Sequence, residues 1–560
     1  MAQSSETQVL PPVNVDPPGA AAAKPKPSPA PTAARRAPRR AARPKPKPRP
    51  APPPEVIEEP EPIFEPVEVT PETASTGEAR DAAMQTQVYN TPAAVSSIGS
   101  GEMATFGSAD PNNVLRAVPG TSVRDSPNNP GVAVNIRGFE GSGRVNMMID
   151  GVRQNFRFTG HEAQGFTYVD PSLLAGVDIA RGAVSTAGGA GALAGAANFR
   201  TLDIIDVLKP GQTVGALTTA SYGTNSQEWT GMAAGAVSSG NVGFVGAISG
   251  RNPDDFENGD GMIVPYTSQD LRSGLVKGEF KINEEHKFKV GGVFYRNDFL
   301  ANSYDQKITS DIYTFNYNYN PVSTNLVNLR FNAYRSDVTM NYGGFYNNPI
   351  GGAANGREIN DVGTGFDISN VSKFRLGDVN VRSEYGYEYF HDDFDVINSA
   401  ARPDRGVNPS GESAISGLFS ATTFSYGMFD LIAGLRYDEF KLDGRGSVAA
   451  GNPLGMPAGP YKVDRTDGRF DPKITLAVKP VDWFQPYVTY AEAMRGPTVN
   501  ETFMGGNHPG AGPAQSFFPN PFLEPEIQKG WEFGFNSSVD RLFTHNDFLR
   551  FKANYFTQDV

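Results

Sequence analysis

The chain offers few side chains that could coordinate a metal or run a reaction. It has five histidines and no cysteine in 560 residues. Missing cysteines remove zinc-thiolate sites, thiol catalysis and disulfides together. His508 sits in "GGNHPGAGPAQSFFPNPFLEPE", a Gly/Pro-rich loop that leads to an aromatic strand. Such a residue is either loop filler or a ligand held on a flexible arm. His161 sits in "RFTGHEAQGFTY", a glycine-flanked loop, with Tyr168 close behind. Neutral imidazole is the commonest side-chain metal ligand. Of the other three, His286 in "INEEHKFKV" lies at a turn beside two glutamates and reads as solvated. His391 in "YFHDDFD" has three carboxylates nearby, which leaves a metal site open. His545 in "FTHNDF" reads as a turn. No nucleophile–base constellation stands out, so an enzyme is not expected.

The elements that would position these residues are mostly strands. No run reaches the roughly eighteen apolar residues of a membrane-crossing helix. From about residue 212 onward, alternating segments of about ten residues recur, such as "TVGALTTASYG", "FKVGGVFYRN", "FDLIAGLRYDEF" and "WEFGFNSSVD". About fifteen of them can be picked out. Short turns such as "KPVD" alternate with long polar loops such as "YGGFYNNPIGGAANGREINDVGTG". This is the pattern of a transmembrane antiparallel β-barrel. A packed soluble sheet would carry more Leu, Ile and Val than these strands do. The run "FKANYFTQDV" stops in mid-pattern. A barrel closing there would expose an edge, so further strands are expected.

Residues 86–205 read as a compact α+β domain. "DPNNVLRAVPGTSV" gives a capped helix ended by Pro-Gly. "AVNIRGF", "VNMMIDGVRQN" and "GVDIARGA" read as short strands between turns. The small-residue run "TAGGAGALAGAANFRT" lacks the lysine and Ser/Thr of a P-loop and reads as close backbone packing. Residues 1–85 lack hydrophobic periodicity. A basic, proline-rich run is followed by the acidic "EVIEEPEPIFEPVEVTPE", the composition of a disordered or semi-rigid spacer. Near its start, "LPPVNVDPP" alternates Val13 and Val15 with polar residues, and such a segment could add a strand to another protein's sheet edge. "MAQSSETQ" has no apolar core, so no cleavable signal is visible and the start is expected at or past a processed end. A net charge of −12 argues against a nucleic-acid partner.

A plug-like segment followed by a large barrel resembles the TonB-dependent outer-membrane receptors. "VNIRGFEGSGRVNMMIDGVRQ" is similar to the family's Ile-Arg-Gly…Asp-Gly-Val run, and "VDIARGAVSTAGGAGALAGAANFRTLD" to its Arg-Gly…Arg-Thr run. The resemblance implies a mainly β chain: a transmembrane antiparallel β-barrel (206–560) with an N-terminal α+β plug (86–205), preceded by the disordered Pro-rich segment (1–85). It implies a place in the bacterial outer membrane, among its lipids. It makes Leu10, Pro11, Pro12, Val13, Asn14, Val15 and Asp16 the candidate box that pairs with the inner-membrane TonB complex, with "EPVEVTPE" as the runner-up.

Two boxes point to the heme-receptor branch of that family. "MRGP" resembles Phe-Arg-Ala-Pro through Arg495 and Pro497, and "NPFL" resembles Asn-Pro-Asn-Leu through Asn520, Pro521 and Leu523. His508 lies between them. The resemblance implies heme as the transported ligand, taken free or from a hemoprotein, with no permanently bound cofactor. Heme iron takes axial imidazoles or a tyrosinate. His508 on an outer loop and His161 on the plug would chelate the iron from two sides, with Tyr168 as a substitute ligand. Arg153 and Arg157 could meet the propionates, and Arg495 and Glu501 read as structural. A ferric-siderophore receptor, resting on aromatic and arginine contacts, stays open as an alternative. So does a passive porin-like barrel, although a porin needs no plug.

Overall fold

The computed structural model describes residues 74–105, 111–123, 129–140, 143–157, 165–225, 228–301, 304–345, 357–397, 408–505 and 517–560. Among them, fifteen strands from Val214–Gly223 to Phe548–Asp559 form one antiparallel sheet in chain order, as the alternation predicts. Each strand is a neighbour of the next in sequence, so every connection is a hairpin. Turns at one end are short, as at Gly240, Gly377 and Gly427, all with positive φ. Connections at the other end run from the two residues between Ala301 and Tyr304 to the longest, residues 496–525, between the strands Phe484–Arg495 and Glu526–Asp540.

Alternation sorts the two faces. In the strand Val242–Arg251, Phe244 and Ile248 are 53% and 70% exposed, while Val245 and Ala247 between them are buried. The same outward apolar set recurs in Val276, Leu418, Leu435, Phe470 and Ile474. In water an exposed apolar band of this extent would drive association, whereas hydrocarbon is its natural solvent. No helix among the described residues is long and apolar enough to cross a membrane.

The inward face wraps a five-stranded mixed sheet. Its order is Val95–Gly99, Leu174–Arg181, Gly195–Thr201, Val145–Ile149, Val152–Arg153. Val177, Ile179, Phe199 and Ile149 of this sheet share one buried cluster with Met232, Ala234, Ala236, Val245 and Ala247 of the barrel wall. Small wall residues let the two sheets approach. The glycine-rich run does pack closely: a Cβ on Gly195 would lie 2.0 Å from the Ala180 carbonyl oxygen, and its φ of +128° excludes most side chains.

Two features differ from the sequence reading. "VNMMIDGVRQN" is a hairpin of two strands, not one strand. Asp150 and Gly151 both take positive φ, 50° and 81°, as a two-residue Asp-Gly turn requires. A helix, Gly77–Asn90, crosses the expected boundary at 85. Only Gly77 and Arg80 are buried along it, so it has no apolar stripe to announce it. It is held by polar contacts. Arg80 forks onto Asp206 at 3.1 and 2.8 Å, Gln85 donates to the Ser97 carbonyl, and Lys552 of the barrel donates to the Val88 carbonyl.

Candidate functional site

The long-connection end of the barrel holds a cavity of about 40 Å³ between plug and wall. The plug lines it with Gly143, Asn146, Arg153, Asn155, Arg157 and Gly191. The wall contributes Asp392, Phe394, Ile415 and Phe440, and the start of the longest connection adds residues 495–500. A volume near that of one or two waters is too small for a porphyrin. The cavity is therefore a floor, and a flat ligand would lie above it.

Arg495 ends its strand on the inward face, with 5% exposure. Its guanidinium donates to both carboxylate oxygens of Glu501 at 2.9 Å and to Glu526 at 2.8 Å. Glu526 also receives Arg144 of the plug, with one bond of 2.9 Å. The first box is thus tied through its arginine to the glutamate that follows the second box, and through that glutamate to the plug. Arg495 is paired with two carboxylates at the base of the loop.

Glu501 has a second task. It caps the short helix Val499–Phe503 in a reciprocal box with Thr498, accepting from the Thr498 backbone N–H at 3.0 Å. Burial pushes the Glu501 carboxyl up, but the bonds and charge of Arg495 pull it down to about 2. The clamp is therefore complete above the ordinary glutamate range and is lost only as pH falls through about 2. Val499 and Phe503 pack with Phe394 and Leu442, and the Phe503 ring stacks on Tyr461. The returning arm is held as well: the Asn520 N–H bonds the Thr502 carbonyl at 3.1 Å, and Arg465 bonds the Leu523 carbonyl and Glu524. Pro521 lies beside Asn520 in this arm. Pro497 lines the cavity with Arg495.

His508 and His161 lie outside the described residues, as do Leu10, Pro11, Pro12, Val13, Asn14, Val15, Asp16 and the runner-up box. The ends of both histidine stretches are described. Arg157 and Gly165 face each other in an antiparallel bridge on either side of the His161 stretch. Residues 495–505 and 517–526 flank the His508 stretch, and Arg157 and residues 495–500 line one cavity. Tyr168 is not brought to that rim. It is 3% exposed, with its ring centroid 6.0 Å from Tyr295 and 6.3 Å from Phe299, inside an aromatic wall between plug and barrel. To meet an iron at the cavity it would have to leave that packing.

The remaining histidines resolve differently from one another. His286 is not simply solvated: its ring stacks on Tyr319 at 4.4 Å and its Nδ1 meets the Tyr317 hydroxyl at 2.8 Å. His391 approaches Glu412 at 3.5 Å, and no cluster of three metal-binding groups occurs among the described residues. His545 lies in the bend between the last two strands.

Sequence reasoning missed the charges that fix the plug to the wall. Glu388 accepts the backbone N–H groups of Gly188 and Ala190 at 2.8 and 3.0 Å, and Arg436 pairs with Glu388 and Asp438. Arg436 also donates to the Thr186 carbonyl at 2.6 Å. Strand parity could have found them, because Arg436 and Asp438 share the face opposite Leu435. The Glu501 cap was legible too, as Thr-x-x-Glu. Arg144 carried no local signal.

Two family models match the chain. One describes a TonB-dependent receptor plug domain, over residues 87–196, and the other a TonB dependent receptor-like β-barrel, over residues 249–560. A hemin receptor of Yersinia pestis is 26% identical over 79% of this chain and 64% of its own. The heme/hemopexin utilization protein C of Haemophilus influenzae is 25% identical over 80% of this chain and 67% of its own. The chain thus spans about two-thirds of the length of these relatives. Among solved structures, the Serratia marcescens hemophore receptor HasR, in complex with its hemophore HasA and heme, superposes with a TM-score of 0.77 at 28% identity. That match covers 84% of this chain and 73% of that one. The FrpB iron transporter of Neisseria meningitidis shares the fold, with a TM-score of 0.65 at 18% identity.

Proposed function

This chain belongs to the TonB-dependent receptor family, and from that premise we propose that it binds heme or a hemoprotein at the surface of a bacterial outer membrane and passes the heme inward. The observation that carries this reading is that Arg157, four residues before His161 in the plug, and residues 495–500, the start of the connection that bears His508, line one cavity. The hemin-receptor and hemophore-receptor relatives support heme over other cargo.

In this reading His508 and His161 are axial ligands on opposite faces of the ring. A pair on two separate bodies answers both demands on a receptor. Two imidazoles together hold iron against a competing protein, and movement of the plug breaks one bond and lowers the affinity. The segment before the helix Gly77–Asn90 serves as the periplasmic spacer, and the part of it from Leu10 to Asp16 pairs with TonB by strand addition.

Hemin titrated into the purified protein is expected to give a shifted Soret band. His508→Ala and His161→Ala each weaken binding, and the double variant loses the shift. A double variant with the wild-type spectrum would rule out ligation by these two histidines and place the axial ligands elsewhere. Deletion of residues 10–16 is expected to abolish growth on heme and leave the Soret titration unchanged. Growth that persists would place the TonB contact elsewhere.

A further inference from the structure

Three arginines line the floor of the cavity, and their partners set them apart. Arg495 is saturated by Glu501 and Glu526. Arg153 donates to the Ala190 carbonyl at 2.7 Å and lies over the Phe390 ring at 5.2 Å. Arg157 is different. It is 8% exposed, and its one hydrogen bond is a long contact of 3.3 Å to the neutral Asn155 side chain. Its Nε is buried without a partner, and no carboxylate among the described residues lies within ion-pair distance. Of the neighbouring acids, Glu501 is held by Arg495 and Asp392 accepts from Asn155 at 2.5 Å, while buried Asp361 and Asp392 each keep one oxygen without a partner among the described residues, acting on Arg157 from beyond ion-pair distance. Burial, then the nearby charge of Arg495, lowers the Arg157 guanidinium to about 10.

A guanidinium removed from water without a bonded anion is costly to keep. Its planar fork matches a carboxylate in two parallel bonds. Space for the fork is provided by a missing side chain: a Cβ on Gly143 would lie 2.3 Å from the Arg157 Nη2. The adjoining cavity is too small for a ring system yet admits a group of carboxylate size.

We propose that Arg157 receives one propionate carboxylate of heme, and so sets the depth and in-plane orientation of the ring between the two histidine stretches. This rests on the heme reading above. The ring stays over the floor and one propionate reaches down to it. Arg157 is a binding and positioning residue, and Arg153 is part of the frame.

The test compares hemin with hemin dimethyl ester, whose propionates are uncharged. Wild-type protein is expected to bind hemin at least about tenfold more tightly than the ester. Arg157→Gln is expected to bind hemin as weakly as wild type binds the ester, and to lose the discrimination. Arg157→Lys keeps part of it. The Soret position stays the same in every pairing, because the axial ligands are untouched. Equal affinity of wild type for hemin and its ester overturns the proposal without needing any variant. Full discrimination retained in Arg157→Gln overturns it as well. Hemin that gives no Soret shift with wild type overturns the heme reading itself, and the proposal with it.

Discussion

Replacing Arg495 with alanine is expected to cost about 3–5 kcal/mol and to release the longest extracellular connection from the barrel. The change removes one guanidinium and strands two carboxylates, Glu501 and Glu526. Glu526 keeps Arg144, but Glu501 keeps only its helix cap. The short helix Val499–Phe503 is five residues long and cannot persist on propensity alone. Its docking rests on the clamp and on the Phe394, Leu442, Val499, Phe503 cluster. Protease cleavage within residues 496–525 should rise sharply in Arg495→Ala, and hemin affinity should fall by at least about tenfold. Arg495→Lys should recover little, since an ammonium cannot fork onto Glu501 while bonding Glu526. An unchanged cleavage pattern would show that the apolar cluster suffices.

The second large effect is expected at Arg436. It is 4% exposed and holds Glu388 and Asp438, while Glu388 grips the plug through two backbone N–H groups. Arg436→Ala buries two carboxylates without a cation, again a cost of about 3–5 kcal/mol. Water entering to solvate them would loosen the plug segment around Thr186 and Gly188. The expected readouts are a lower melting temperature in detergent and ion leakage across a planar bilayer where wild type is closed. Glu388→Gln should be milder, because an amide oxygen still accepts and no charge is left behind. A variant that melts like wild type and stays closed would mean that other contacts hold the plug. Those contacts are named: Lys277 with Asp150 at 2.9 Å, and Lys473 with the Ala183 carbonyl at 2.8 Å.

Both predictions concern carboxylates that also bond distant segments. Arg144 and Glu526 are 382 residues apart, and Gly188 and Glu388 are 200 apart. Such pairs depend on strand register, on sheet curvature and on how the plug is seated, none of which a local pattern encodes. By contrast, a strand's faces are set by the two-residue period of its own backbone. That is why the fifteen-strand wall could be read from alternation, and why Arg436 and Asp438 could be assigned to one face without partners being known.

The helix Gly77–Asn90 shows the converse. Its sequence has no apolar stripe, and its stability comes from Arg80 on Asp206 and Lys552 on the Val88 carbonyl. Only the folded chain brings those groups together. The Asp150–Gly151 turn was legible in hindsight, because Asp-Gly supplies the positive φ that a tight hairpin needs.

At the site, the residue types and the two boxes pointed from the sequence to a loop between Arg495 and Asn520 and to a plug stretch around His161. The boxes did this through the family resemblance, and the histidines because a ligand's chemistry belongs to its own side chain. Tertiary structure decided which arginine is free to bind. Arg153, Arg157 and Arg495 look alike in the sequence, and only packing shows that two are spent on carbonyl, ring and carboxylate. The third is buried against a bare glycine, with its Nε unbonded and its carboxylate neighbours beyond ion-pair distance among the described residues. Whether a guanidinium is saturated depends on every neighbour within about 4 Å, and in this fold those neighbours come from the plug, the wall and the loop at once.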